Sequence, residues 1–187
     1  EIHERLVGSE MCIRDRQTPA ADRLLHAATY ALPEFQTSHG NLMANPGCYA
    51  TAAILAAAPL VRRKWLAGIP IFDGKSGLSG AGKKLSDTSH FVTISENMQT
   101  YKLNQHQHIP EIVQQFQQWD PELTAIQFST SLIPVNRGIM MTLYVPVAPE
   151  RTAEDIYQRY QEDYQEQPFI RLQPLGKPVS YTHLTLP

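Results

Sequence analysis

Apolar residues recur along the chain in blocks whose spacing switches between helical and extended periods. Leu24, Leu25, Ala28 and Leu32 stand at near-helical intervals and predict a short helix over residues 20–32, which Pro33 stops. A polar connector over residues 36–41 leads to Leu42, Met43 and Ala44, a brief apolar strand. Asn45-Pro46-Gly47 then forces a turn. Cys48 and Tyr49 open a run rich in alanine and leucine, and good helix formers predict a helix continuing to about Leu66, with Gly68 as its cap. Residues 69–73 read as a second strand, and residues 74–84 as a loop with four glycines and three lysines.

Further on, Pro110 and Glu111 suit a first helical turn, with Ile112, Val113 and Phe116 as its apolar face. Alternating patterns over residues 125–134 and 139–147 predict two strands joined through Val135-Asn136-Arg137-Gly138. Thr152 is set to cap a helix with Asp155 three residues on, and Ile156, Tyr157, Tyr160 and Tyr164 mark its inner face. Residues 169–172 read as a last strand. No internal repeat or low-complexity segment is present.

Composition narrows the function classes. A chain of 187 residues with 42% hydrophobic content supports one core and one domain as the default. A net charge of −2 argues against nucleic acid or an anionic membrane as partner. No apolar run approaches the roughly 20 residues needed to span a bilayer. Two cysteines are no disulfide framework, so a reducing, cytoplasmic setting is expected. Residues 6–16 and 179–187 resemble translated sequencing-adaptor DNA, so residues 1–16 and 179–187 are read as non-native tails, and Cys12 and His183 carry no functional expectation.

Candidate chemistry gathers around Cys48. A cysteine at a helix N-terminus meets unpaired amides and the positive end of the macrodipole, which favour thiolate over thiol. The same amides can hold an oxyanion, with the Asn45 side chain as an extra donor. The competing reading is a buried cysteine packed as a small hydrophobe. His106 and His108 precede the helix that Pro110 opens. Two-residue spacing in an extended segment places both rings on one side, where either serves as acid/base partner to Cys48. No cysteine or carboxylate at ligand spacing accompanies them, so no metal is expected. The glycine-rich loop lacks Walker spacing, yet its lysines and serines suit an anion or cofactor. Arg137 can fork onto a carboxylate or phosphate, although a solvent-facing turn arginine is the commoner case.

Taken together, Tyr30 to Glu34, Asn45 to Thr51, Lys75 to Lys83, Glu96-Asn97, His106 to Ile112 and Arg137-Gly138 resemble the N-acetyl-gamma-glutamyl-phosphate reductase family, relatives of aspartate-semialdehyde dehydrogenase. The resemblance covers roughly residues 17–178, in family order. Ala50 stands where the family usually has proline, Ala31 where it often has glycine, and Lys83 where arginine is usual. The resemblance implies an α+β fold: a mixed, largely antiparallel sheet with helices packed on one face, residues 17–178 forming a catalytic and dimerisation domain fragment. It implies that Cys48 attacks an acyl phosphate and forms a thioester, which NADPH then reduces. His108, slightly ahead of His106, manages the protons. Asn45, Arg137, Lys83 and Glu111 are the implied substrate contacts, and Ser79, Gly80 and Gly82 the cofactor contacts. The nucleotide-binding unit of the family is expected to be missing upstream of Gln17, leaving NADP without most of its site and the chain inactive alone. A small-molecule acyl-phosphate substrate and a homo-oligomer are the implied partners. The alternatives are a sibling reductase for an aspartyl or aminoadipyl substrate, a cofactor-free Cys-His hydrolase or acyltransferase, and a non-catalytic assembly domain.

Overall fold

The computed structural model describes residues 29–30, 32–35, 43–82, 87 and 90–177. They fall into two compact units, Glu1–Gly47 and Cys48–Pro187. The described part of the first unit is a short parallel ladder of β1 (Thr29–Tyr30) and β2 (Met43–Ala44), in register Thr29 with Met43 and Tyr30 with Ala44. Thr29 and Tyr30 therefore correct the helix predicted over residues 20–32. Both are strand-favouring residue types, and pairing with β2 overrides the local helical spacing. The rest of that predicted helix, residues 20–28, lies outside the described residues.

The second unit opens with α1 (Cys48–Val61) and continues through β3 (Ile71–Ser76), a 3-10 turn at Leu78–Ala81, α2 (Phe91–Ile94), β4 (Gln99–Tyr101), α3 (His108–Trp119), β5 (Gln127–Leu132), β6 (Ile139–Tyr144) and α4 (Ala153–Tyr164). The four strands form one sheet in the order β4-β5-β3-β6. The β3–β5 pair is parallel, while β3–β6 and β4–β5 are antiparallel. This is the expected α+β class with a mixed, mainly antiparallel sheet. Alternation decides which face is covered: Phe72, Gly74 and Ser76 of β3 and Phe128, Thr130 and Leu132 of β5 are buried. Phe72 and Phe116 stack at 6.0 Å, and with Ile54, Ile112 and Phe128 they fill the space between the sheet and helices α1 and α3.

The strands predicted over residues 125–134 and 139–147 exist as β5 and β6, but they are not neighbours. β3 lies between them, so their connector crosses the end of β3 and bonds to it: Gly77 N–H donates to Gly138 O, Leu78 N–H to Val135 O and Ser79 N–H to Asn136 O. A Cβ on Gly77 would stand 2.7 Å from the Arg137 backbone nitrogen, so a glycine is needed where the two chains cross. Gly74, Lys75 and Ser76 are strand rather than the start of a loop. The residues predicted as a last strand, 169–172, are irregular. Pro168 and Pro174 bracket them, and Phe169 is exposed. Helix α2 and strand β4 carry no clear periodic signal and were not expected.

Helix α1 ends at Val61, five residues short of the predicted stop. Lys64 adopts a left-handed φ of 55°, Trp65 N–H closes back onto Leu60 O at 3.1 Å, and Leu66 leaves to bridge Val147. Inside the helix, Pro59 has no N–H to give the Leu55 carbonyl. The Tyr164 phenol of α4 donates to that carbonyl at 2.5 Å, and the Tyr160 phenol donates to Ala56 O. Arg63 forks onto Asp163 of α4 at 2.7 and 2.9 Å. Thr152 and Asp155 form the predicted capping box of α4.

Replacing Tyr164 with Phe keeps the ring and strips the donor from a buried carbonyl. The expected cost is about 1–2 kcal/mol, read as a lower urea midpoint with unchanged slope. An unchanged midpoint would show that Pro59 needs no donor from α4.

Candidate active site

Asn45-Pro46-Gly47 cannot continue as helix, and Cys48 is the first residue of α1, as the sequence predicts. Cys48 is exposed, and the backbone amides of Tyr49 and of Cys48 itself act on its thiol. These amides lower the thiol pKa, but the protein packed around the sulfur raises it more, and the Glu111 carboxylate adds to the rise. The net direction is up. This reverses the expectation of a thiolate at rest: the helix end is present, but desolvation of the charged form outweighs it.

Tyr49 points the other way, into the core. It is 3% exposed, its phenol donates to Ser131 O at 3.5 Å, and it accepts from the Tyr101 phenol at 3.3 Å. A Cβ on Gly74 would lie 2.5 Å from the Tyr49 ring, so the glycine in β3 makes the slot that the ring occupies. Burial and the Tyr101 hydroxyl push the Tyr49 phenol far above its ordinary value, so it stays protonated.

The two histidines meet this ring. His106 lies edge-on to Tyr49 at 5.3 Å between ring centroids, His108 lies 6.3 Å from it, and the two imidazoles are 4.7 Å apart. The backbone between them is not extended, as had been expected. Gln107 is helical (φ −60°, ψ −20°) and His108 is already the first residue of α3. The rings still converge, because His106 turns its Nδ1 back to accept the His108 N–H at 3.2 Å, serving one of the free amides of the new helix. Burial lowers the His106 pKa to about 4, with the charges of His108 and Lys102 adding to the fall. Burial also lowers the His108 pKa, against the opposing pull of Glu111 one turn along α3. Both rings are buried, and both nitrogens of His108 are without a hydrogen-bond partner among the described residues. An unsatisfied buried imidazole costs stability and calls for a reason.

His106 and His108 thus gather on the Tyr49 ring, and Glu111 acts through its field on both His108 and the Cys48 thiol. A second group lies along the end of β3. Ser79, Gly80 and Gly82 are exposed around the 3-10 turn, and Arg137 is exposed in the connector beside it. The Ser79, Gly80 and Gly82 amides are spent internally, on Asn136 O, Gly77 O and Ser79 O, so hydroxyl and α-carbon surface is what they present. Ser76 lies between the groups: its hydroxyl donates to Gly77 O at 2.9 Å and opposes the rise of the Tyr49 pKa, and a Cβ on Gly80 would sit 2.7 Å from its Oγ. Asn45 is exposed in the preceding unit, and Lys83 lies outside the described residues. Tyr49, Tyr101 and Ser76 were missed as site residues. For Tyr49 the one available signal was its adjacency to Cys48. Among the described residues, no cluster of three or more His, Cys, Asp or Glu is arranged to hold a metal.

Residues 48–185 match the family model described as semialdehyde dehydrogenase, dimerisation domain. The chain belongs to that family. It is 51% identical over 160 residues to the N-acetyl-gamma-glutamyl-phosphate reductase of Streptococcus sanguinis, covering 84% of this chain and 47% of the relative. It is 45% identical over 178 residues to the protein of the same name in Listeria monocytogenes, covering 90% and 52%. It is 44% identical over 165 residues to N-acetyl-gamma-glutamyl-phosphate reductase 2 of Lactiplantibacillus plantarum, covering 88% and 48%. The chain therefore spans about half the length of the curated relatives it matches. A solved aspartate semialdehyde dehydrogenase from Candida albicans, crystallised with NADP, aligns at a TM-score of 0.41 and 13% identity over 74% of this chain and 39% of its own, too distant to carry an argument.

Two outcomes test this semialdehyde dehydrogenase-family site. With the thiol raised, alkylation of Cys48 by iodoacetamide should accelerate steadily from neutral to alkaline pH. A rate plateau in mildly acidic solution would reveal a resting thiolate–imidazolium pair and refute the neutral assignment. For His106 the folded pKa lies below the unfolded one. The unfolded chain therefore takes up its proton first, and stability falls as pH drops from 6.5 towards 4. This one group should cost about 3 kcal/mol by the lower limit. In His106→Gln, urea midpoints followed from pH 7 to pH 4.5 should lose most of that slope; an equally steep fall would place the acid sensitivity elsewhere.

Proposed function

We propose that the whole protein reduces N-acetyl-gamma-glutamyl phosphate to N-acetylglutamate 5-semialdehyde through a thioester on Cys48. The observation that carries the reading is His108: a buried, neutral imidazole with both nitrogens unpaired, in the field of the same carboxylate that acts on the Cys48 thiol. The names of the relatives supply the acyl chain.

At rest we place the proton on sulfur: the protein around the exposed Cys48 thiol, like the burial of His108, disfavours the charged form. Attack on the acyl carbon requires Cys48 to give that proton to His108 as the S–C bond forms and the C–O bond to phosphate breaks, releasing inorganic phosphate. Glu111 stabilises the imidazolium that results. We assign the backbone amides at the start of α1 to the oxygen that becomes negative. Arg137 and Lys83 are assigned to the anionic ends of the substrate. NADPH, when bound, supplies the hydride that converts the thioester to the aldehyde. Ser79, Gly80 and Gly82 fit the reactive end of that cofactor: all three are exposed, and a Cβ on Gly82 would meet nothing within 4 Å. When the C–S bond breaks, sulfur leaves as thiolate and recovers its proton from His108. We assign most of the NADP site to chain outside the described residues, so this piece alone is expected to reduce nothing. The family's description as a dimerisation domain supports a homo-oligomer, and we assign a cytoplasmic location to match the proposed biosynthetic substrate. No helix among the described residues is long and apolar enough to cross a membrane.

Thioester formation needs no nucleotide. Mixing this chain with N-acetyl-gamma-glutamyl phosphate should release stoichiometric phosphate and leave a hydroxylamine-labile acyl adduct by intact mass. Cys48→Ser should abolish it, and His108→Asn should slow it by roughly a hundredfold. Continuous hydrolysis without an accumulating adduct would instead indicate a Cys-His hydrolase.

A further inference from the structure

Tyr49 is buried one residue from the nucleophile, yet the chemistry just described makes no use of it. Its backbone belongs to α1, its ring fills the slot over Gly74 in β3, and its phenol is bonded to Tyr101 of β4 and to the Ser131 carbonyl of β5. On its free edge it meets His106 at a 77° angle and His108 at 58°. Phe128 closes the other side, in contact with both Tyr49 and His106. Tyr101 also touches His106, at 6.0 Å. The imidazoles themselves hold few polar anchors: His106 has the His108 amide, and the His108 ring has no hydrogen-bond partner among the described residues. Aromatic packing is therefore what sets their angle.

We propose that Tyr49 is a positioning residue: its ring, anchored at the phenol by Tyr101, orients the His106–His108 pair for proton exchange with Cys48. The peptide that carries Tyr49 also carries the thiol, so one rigid element fixes donor and acceptor together. An imidazole free to rotate would present a nitrogen to the sulfur only part of the time, and misplacement by a fraction of an ångström slows transfer. The titratable groups that act on the pair are Lys102, which follows β4, and Glu111 on α3, with Tyr49 of α1 and Tyr101 of β4 in ring contact. None of them bonds the His108 ring. A tyrosine that only filled the core would be replaceable by another large apolar side chain without any effect on the histidines.

The inference rests on the acyl-transfer reading of Cys48, and the test separates the two. Acylation of Cys48 by acetyl phosphate is followed against pH in the parent chain, in Tyr49→Leu and in Tyr101→Phe. The imidazole resonances of His106 and His108 are titrated by NMR in the same proteins. Tyr49→Leu, folded by circular dichroism, should acylate roughly tenfold more slowly at neutral pH or worse, and its His106 should titrate nearer the ordinary histidine midpoint. Tyr101→Phe should shift both readouts in the same direction by a smaller amount, and it decides the matter alone if Tyr49→Leu does not fold. Unmoved histidine titrations in a folded Tyr49→Leu, or in Tyr101→Phe where that variant decides, overturn the proposal whatever the rate does. A parent chain that forms no adduct overturns the acyl-transfer reading, and the titrations then judge Tyr49 independently.

Discussion

The Tyr49 ring occupies the point where α1, β3, β4 and β5 converge, and the geometry of the site depends on that packing. Glycine at position 74 is what admits the ring, since a Cβ there would stand 2.5 Å from it. With the ring in place, the first turn of α1 is fixed against the sheet, and Cys48 is left at the surface while its neighbour is buried. The histidines pack on the remaining edge. A loop of few polar contacts thus becomes an ordered wall by van der Waals contact, which is dense and directional inside a protein.

Burial also decides the charge state. A helix N-terminus draws negative charge towards Cys48, but the effect is modest and confined to the first turn. Removing water from the sulfur and from two imidazoles acts on all three at once, and in each case it favours the neutral form. Under the proposed mechanism, a thiol and a neutral imidazole exchange a proton only as the sulfur attacks. Glu111 favours the protonated form of both groups, so it stabilises the imidazolium without stabilising a premature thiolate.

Support for α1 comes from the other end of the helix. Pro59 would leave the Leu55 carbonyl without a donor inside the core, and α4 supplies one from Tyr164 while Arg63 and Asp163 close the contact. The α4 helix thereby holds straight the element whose first residue is Cys48. The crossing of the 133–138 connector over Gly77 does the same for the 3-10 turn and Arg137.

Local chemistry made much of this legible. Pro46 and Gly47 punctuate the chain, which left Cys48 to open the helix that follows. Thr152 and Asp155 satisfy each other across one turn, and strict alternation marked β5 and β6. Sequence order alone also carried the family, because its motifs are contiguous. Other features depend on partners far away in the chain. Thr29 and Tyr30 became a strand because Met43 and Ala44 lie beside them, whereas residues 169–172, bracketed by Pro168 and Pro174, pair with no strand among the described residues. The stop of α1 at Val61 was decided by the pairing of Leu66 with Val147, and the separation of β5 from β6 by the insertion of β3. The thiol's protonation was decided by how much protein surrounds the sulfur, a property of packing that no spacing of residues encodes. Short-range sterics and hydrogen bonding are written in neighbouring residues; desolvation and strand partnership exist only once the chain has closed on itself.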